Sequence, residues 1–333
     1  MIEIRELVPR DVDALAACVR RCYGSSYSLS DFYDLDWLRS QLATGRLLSV
    51  GACVGQRIVG HIGVSVVSPG DPVGDTVAGI VEPSFRGQGL VRQMGEVLFS
   101  AFTQRGIVAT RHIATGAHLR TQRPLAESGA VETGVLLGHL PASTDYHGVG
   151  RSFGGARIGA VVFFQSHGDI GILDVHVAPR YHDAIGAIYR RAGLVRRIIE
   201  SVPPQSRAGS ARAVASINVR SDSHAGVSTI GFSAEPDHRL STERLDAVLT
   251  GNVDVEYVDV PLCHVDGPQI VEWLRCRSFA FGSLLPGTAS TERLRMQRVS
   301  ATTRPDLIQF ATPEGRRLRN WIVADLSSRE PRR

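Results

Sequence analysis

Val81-Glu82-Pro83-Ser84-Phe85-Arg86-Gly87-Gln88-Gly89-Leu90-Val91 runs from an apolar, strand-like stretch (75–81) into an amphipathic, helix-like one. A strand-to-helix junction leaves the amides of the first helical turn without intrahelical partners, facing outward where an anion can accept from them. Gly87 and Gly89 permit left-handed backbone angles and remove the Cβ atoms that would hold a ligand away. Arg86 adds a fixed positive charge. The segment therefore predicts a phosphate-binding turn. A nucleoside-triphosphate loop ending in Gly-Lys-Ser/Thr is excluded, because the chain has no lysine. A dinucleotide fingerprint is also excluded, since Gly-Gln-Gly-Leu-Val-Arg lacks its third glycine.

Val81, Pro83, Arg86, Gly87 and Gly89 match, in order and spacing, the loop Val-x-Pro-x-x-Arg-Gly-x-Gly-x-Gly/Ala. In this the segment resembles the acyl-CoA pyrophosphate loop of the GCN5-related N-acetyltransferase (GNAT) superfamily. Val91 departs from the pattern at the last small-residue position. The resemblance implies acetyl-CoA or another acyl-CoA as cosubstrate, held by Val81, Arg86, Gly87, Gln88, Gly89, Leu90 and Val91. It also implies an α/β (α+β) fold, a mixed central sheet flanked by helices, and transfer of an acyl group to an amine.

The rest of the chain is consistent with that class. At 333 residues it exceeds one ordinary domain, and 43% hydrophobic residues suffice for packed cores. No apolar run approaches a membrane span and the N-terminus lacks a signal-peptide pattern, so a cytoplasmic protein is expected. Cys18, Cys22, Cys53, Cys263 and Cys276 are odd in number and scattered, which argues against a disulfide framework. Cys18 and Cys22 lie four apart on a predicted helix, with no second ligand pair, and read as buried thiols rather than a zinc site. All basic residues are arginine, interspersed with acids to a net charge of +4. Solvated helix faces explain them better than a nucleic-acid stripe.

Hydrophobic periodicity places a strand at 2–7, a helix from Pro9, a second helix around 37–42 and a hairpin of 48–54 with 58–67. The strand ending at Val81 follows. A helix at 89–104, a strand at 107–113, a helix at 119–127 and a strand at 131–137 complete an order similar to that of GNAT proteins. The glycine-rich stretch 148–157 sets a boundary between an acyl-CoA-binding domain (1–147) and a second domain (148–333). The second half resembles a degenerate GNAT domain that shapes the acceptor site. Strands are expected at 158–164 and 170–177 and a helix at 183–199, with Val177-Ala178-Pro179 taken as the echo of Val81-Glu82-Pro83. Arg180-Tyr181-His182-Asp183-Ala184 would then replace the glycine turn. A loop at 201–211, two strands, helices near 241–249 and 268–276, strands at 278–284 and 294–299 and a helix at 313–325 follow.

Direct acyl transfer needs an amine to lose a proton and a departing thiolate to gain one. The superfamily often supplies a tyrosine acid four residues before a Gly-Phe. In Leu125-Ala126-Glu127-Ser128-Gly129-Ala130, Leu125 stands for the tyrosine and Ala130 for the phenylalanine, so that acid is absent. His118 titrates near neutrality and is the candidate acid or base. A backbone-bonded histidine ahead of a helix is the competing reading. With Gln122 and Thr133-Gly134 it resembles a tandem GNAT subgroup of unsettled activity. Glu82, expected to face solvent, and Asp75 are candidate bases acting through water. His61 and His112 read as satisfied strand histidines. Tyr23, Tyr27, Phe32, Tyr33 and Trp37 either shape an acceptor pocket or pack the first two helices together. Asp174, His176 and His182 form a second polar cluster, read as structural. The expected acceptor is a small-molecule amine, with no nucleic-acid or membrane partner. A non-catalytic CoA sensor and a different thioester chemistry are the alternatives.

Overall fold

The computed structural model describes residues 1–27, 29–144, 153–199, 213–233 and 238–328. It is a mixed α/β structure, as the sequence predicts, and divides into two compact units. The first comprises Met1–His112, Ser143–Arg151 and Ser166–Asp169; the second comprises Ile113–Ala142, Ser152–Gln165 and Ile170–Arg333. The division falls inside a strand rather than at the expected 147/148 boundary. The expected loop at 201–211 and residues 148–152 lie outside the described residues.

In the first unit β1 (Glu3–Glu6), β2 (Leu47–Val54), β3 (Arg57–Ser65) and β4 (Val73–Val81) pair antiparallel in that order. β5 (Ala109–Thr115) then joins β4 in parallel, by way of α3 (Leu90–Gln104). Period-two alternation gives the sheet two apolar faces. On one, α1 (Val12–Tyr23) and α2 (Leu35–Ala43) pack through Leu15, Cys18, Val19, Cys22 and Leu38 onto Cys53, Ile58 and Ile80. On the other, α3 seats Leu90, Met94, Leu98 and Phe102 over Leu48, Val50, Val59 and Val64. The buried positions of both long helices recur three and four apart, and each large side chain so buried contributes about 1.5–3 kcal/mol.

In the second unit α4 (Gln122–Glu127) precedes β6 (Val131–Leu140), against which β7 (Ile158–Ser166) pairs antiparallel. The strand expected to open a second domain thus lies beside the last strand of the first half. An apolar run fixes a strand but not its partner. β8 (Leu173–Val175), α5 (His182–Arg191) and β9 (Arg196–Ile198) follow, with β8 and β9 forming a separate parallel pair. The helix expected to reach residue 199 stops instead at Ala192-Gly193, where Gly193 takes φ +66°. β10 (Ser216–Asp222), β11 (Val227–Ser233), α6 (Thr242–Val248), β12 (Val255–Pro261), α7 (Gly267–Arg275), β13 (Ala280–Leu285), β14 (Arg293–Val299) and α8 (Pro313–Ser327) complete the chain. Within this unit the strand order is β7-β6-β13-β14-β12-β11-β10.

The plan does recur, but in a different register from the one expected. A single turn of 3-10 helix begins at Pro179 and leads into α5, just as one at Pro9 leads into α1. Pro9-Arg10, Asp13-Ala14 and Arg20-Arg21 reappear, at constant spacing, as Pro179-Arg180, Asp183-Ala184 and Arg190-Arg191. Val177-Ala178-Pro179 therefore repeats Leu7-Val8-Pro9, not Val81-Glu82-Pro83. The counterpart of β4–α3–β5 is β11–α6–β12: antiparallel to the preceding strand, then crossing over to a parallel one. The segment entering α6 accordingly reads Glu235-Pro236-Asp237-His238-Arg239-Leu240-Ser241.

Candidate functional site

The turn after β4 is built from short local bonds. Glu82 N–H donates to Val59 O (2.9 Å), Phe85 N–H to Glu82 O (2.9 Å) and Arg86 N–H to Pro83 O (3.3 Å). Gly87 and Gly89 both adopt left-handed angles, φ +78° and +70°, and Gly89 is the N-cap of α3. Among the described residues the amides of Gly87 to Val91 have no backbone acceptor, and no side chain caps the helix. A Cβ at Gly87 would meet no protein atom within 4 Å, so the space over the turn is open. Arg86 donates through Nε to Val81 O (3.1 Å), which keeps its charge at the mouth of the turn. Leu90 is buried and anchors the helix start, while Val91 is 54% exposed. Open amides, a positive helix end and a guanidinium suit a pyrophosphate.

β4 itself is interrupted. Its register with β3 shifts between His61/Ile80 and Gly63/Val77, and Ala78, inside the shift, takes φ +50°. A non-glycine residue there costs on the order of 1 kcal/mol and persists only where neighbours hold it. Here His61 Nδ1 donates to Ala78 O (2.9 Å) and its Nε2 accepts from Ser49 Oγ (2.6 Å). Burial pushes His61 down to about 4, so the ring is neutral. His61 is the satisfied core histidine the sequence suggests, with the added task of pinning a bulge. β5 pairs with β4 only over Val73–Thr76, so Val77–Val81 continue without it, and Gly79 is exposed with open space beside it.

Glu82 departs most from expectation. It is 3% exposed instead of facing solvent. Its carboxylate accepts from Arg21 Nε (2.6 Å) and Arg57 Nη2 (2.5 Å). Burial opposes its ionisation, but the bonds and charges of Arg57 and Arg21 outweigh it and hold the carboxyl below its ordinary range. A carboxylate so stabilised is a poor base, and the geometry does not fit that role. Asp75, the other candidate, is bound through both oxygens by Arg111 (2.8 Å each).

His118 belongs to the second unit and is half-buried. α4 begins only at Gln122, so His118 precedes the helix instead of sharing a face with Gln122. Gln122 is fully buried: Nε2 donates to Thr115 O and Gln309 O (2.9 Å each), and Oε1 accepts from Ala311 N–H (3.2 Å). It fastens 309–311 to the end of β5, a purely structural task.

The remaining singled-out groups have local explanations. His112 bonds Thr110 Oγ1 (3.0 Å), and burial lowers it to about 4. The aromatic stretch is packed: Tyr23 and Tyr27 stack at 4.8 Å, Phe32 meets Tyr27 edge-on at 6.2 Å, and Tyr33 Oη donates to Gly24 O. Cys18 and Cys22 are both buried, and a hydrogen bond to Cys22 together with burial pushes the Cys18 thiol up. Asp174 pairs with Arg197 and His182 with Val177 O, so they form no joint cluster. Among the described residues no group of three or more His, Cys, Asp or Glu is placed to hold a metal. No helix there is long and apolar enough to cross a membrane.

No family model and no curated protein matches the chain. Among solved structures it is similar to the ribosomal-protein-S18-alanine N-acetyltransferase of Escherichia coli, at 19% identity over 51% of this chain and 97% of that one, TM-score 0.40. A GNAT-family acetyltransferase of Streptococcus pneumoniae is 15% identical over 50% of this chain and 100% of its own, TM-score 0.40. A GNAT phosphinothricin acetyltransferase of Sinorhizobium meliloti, solved with acetyl-CoA, is 16% identical over 50% and 89%, TM-score 0.38. Each of these likenesses covers about half of this chain.

Proposed function

We propose that this protein is an acyl-CoA-dependent N-acyltransferase that passes an acyl group, acetyl in the simplest case, to an amine of a small molecule. The carrying observation is the turn Arg86–Val91, with its left-handed glycines and uncapped amides at the start of a fifteen-residue helix. In this reading the amides of Gly87 to Val91 and the Arg86 guanidinium hold the pyrophosphate. The free edge of β4 beyond Thr76 offers backbone groups to an extended ligand arm, as exposed strand edges do to peptides. A bound thioester supplies an activated acyl carbon open to direct attack by an amine. Holding both reactants in place can supply up to ~7–11 kcal/mol of the barrier, more than one acid or base contributes. Glu82 is committed to two arginines and is not the base in this reading.

The test is free-thiol release from acetyl-CoA with a panel of small amines. Amine-dependent release supports the reading; a protein that binds no CoA at all overturns it. The substitution of the usual acid by Leu125 favours a second reading, a CoA sensor. A sensor would rise in Tm with acyl-CoA, by up to ~2.7 kcal/mol of stabilisation at a hundred times Kd, and release no thiol.

A further inference from the structure

We propose that Glu82 is a positioning residue: with Arg21 and Arg57 it forms a clasp that fixes the backbone of the glycine turn before any ligand arrives. The inference rests on the reading of that turn as a pyrophosphate cradle, and it assigns Glu82 a task in cosubstrate binding in place of proton transfer.

Three elements meet at this one carboxylate. Arg21 comes from the last turn of α1 and Arg57 from the first residue of β3. Glu82 sits between the end of β4 and the 3-10 turn at Pro83–Phe85. Arg21 also reaches past Glu82, donating from Nη2 to Ile58 O (2.7 Å). The Glu82 backbone is held at both poles, its N–H on Val59 and its C=O under Phe85 N–H. Side chain and main chain together thus fasten the residue that launches the turn.

A turn carrying two left-handed glycines is entropically costly to order, because glycine has the most freedom to lose. Ordering it in advance removes that loss from the binding step. The clasp is also arranged to last. Two charge-assisted bonds satisfy a buried carboxylate, and removing either side leaves an uncompensated charge.

Amide hydrogen exchange at Glu82, Phe85 and Arg86, whose N–H groups carry the backbone bonds of the turn, reads the clasp in ligand-free protein without reference to function. Glu82→Ala should speed exchange there about tenfold or more, while amides of β2 and β3 away from the clasp keep their protection. In turnover with acetyl-CoA, KM should rise about tenfold and kcat stay within about twofold. Unchanged loop exchange, or an unchanged KM, overturns the proposal. So does a fall in kcat with an altered pH profile at constant KM, which would make Glu82 a base after all. If Glu82→Ala does not fold, Arg57→Ala removes one arm from a half-exposed side chain and should shift the same amides in the same direction; no shift counts against the clasp. A wild-type protein that binds no CoA, yet whose loop loosens in the variant, removes the functional reading and leaves the clasp standing.

Discussion

Two matching segments lead into α3 and α6, and among the described residues they end differently. Glu82-Pro83-Ser84-Phe85-Arg86-Gly87-Gln88-Gly89 leads into α3, and Glu235-Pro236-Asp237-His238-Arg239-Leu240-Ser241 leads into α6. In the first, two glycines turn the backbone left-handed and nothing caps the helix. In the second, Leu240 is buried and its N–H donates to Asp266 Oδ2 (3.1 Å). Arg239 N–H donates to Ala213 O (2.7 Å), and Ser241 Oγ accepts from Arg244 N–H (3.3 Å) as an N-cap. A helix start satisfies its orphan amides with side chains, water or a ligand. The first junction leaves them uncapped, for a ligand in the proposed reading, and the second caps its helix with Ser241.

That contrast can be broken in several ways, beginning with the largest effect. Gly87→Val with Gly89→Val forces β-branched residues into left-handed angles and puts side chains into the open space above the turn. CoA affinity, measured by calorimetry, should fall beyond detection, more than about a hundredfold. Retained affinity would show that the turn is not the cradle.

Acid should loosen the first junction from below. His61 and His112 are held at about 4 by burial, against ~6.5 in an unfolded chain. Both are neutral at neutral pH, so their contribution is intact above ~6.5. As pH falls from ~6.5 to ~4 the unfolded chain binds protons first, and stability drops at about 1.4 kcal/mol per unit of each shift. Exchange protection of β3 and β4 measured across that window should decline; constant protection would mean the two rings are not buried neutral. β10 carries no histidine, but His139 in β6 of the second unit is likewise lowered by burial, to about 3, and adds the same liability there.

Ser241→Ala should cost about 1 kcal/mol in urea unfolding of the second unit and leave CoA affinity alone. Loss of CoA binding in that variant would give the second junction a role that its capped geometry denies. The smallest effect is expected at Val91, exposed at the rim of the turn. Val91→Ala restores the small residue of the motif and should tighten CoA binding about two- to threefold, well under 1.4 kcal/mol. Weaker binding would instead make Val91 a contact.

Much of the first unit is legible in the residues because its signals are local. Strand, turn and helix at 75–104 follow from an apolar run, two glycines and a recurring buried face, and the structure shows all three there. The repeat is legible too, but only in the right register. Val177-Ala178-Pro179 matches two different places, and three residues carry too little information to choose between them. The longer match of Pro9–Arg21 with Pro179–Arg191 would have chosen correctly. What no local pattern shows is the fate of Glu82. Beside a proline at a strand end it reads as solvent-facing, and its burial depends on Arg21, distant in the chain, and Arg57 arriving from other elements. His118 is the reverse case: it stands four residues before Gln122, but α4 begins only at Gln122, so the two share no helix face.

The sequence by itself determined that one turn is shaped for an anion, because backbone freedom at Gly87 and Gly89 and a fixed charge at Arg86 are properties of the residues. That the second copy is not so shaped became legible only once the structure set its register, with Leu240 and Thr242 in place of Gly87 and Gly89. Only the tertiary structure decided which polar groups are spent. Glu82, Asp75, His61 and Gln122 each have chemistry to offer in isolation, and each is bound by partners brought from elsewhere in the chain. A side chain's intrinsic chemistry is local, but whether it is free to act depends on burial and pairing, which distant segments impose.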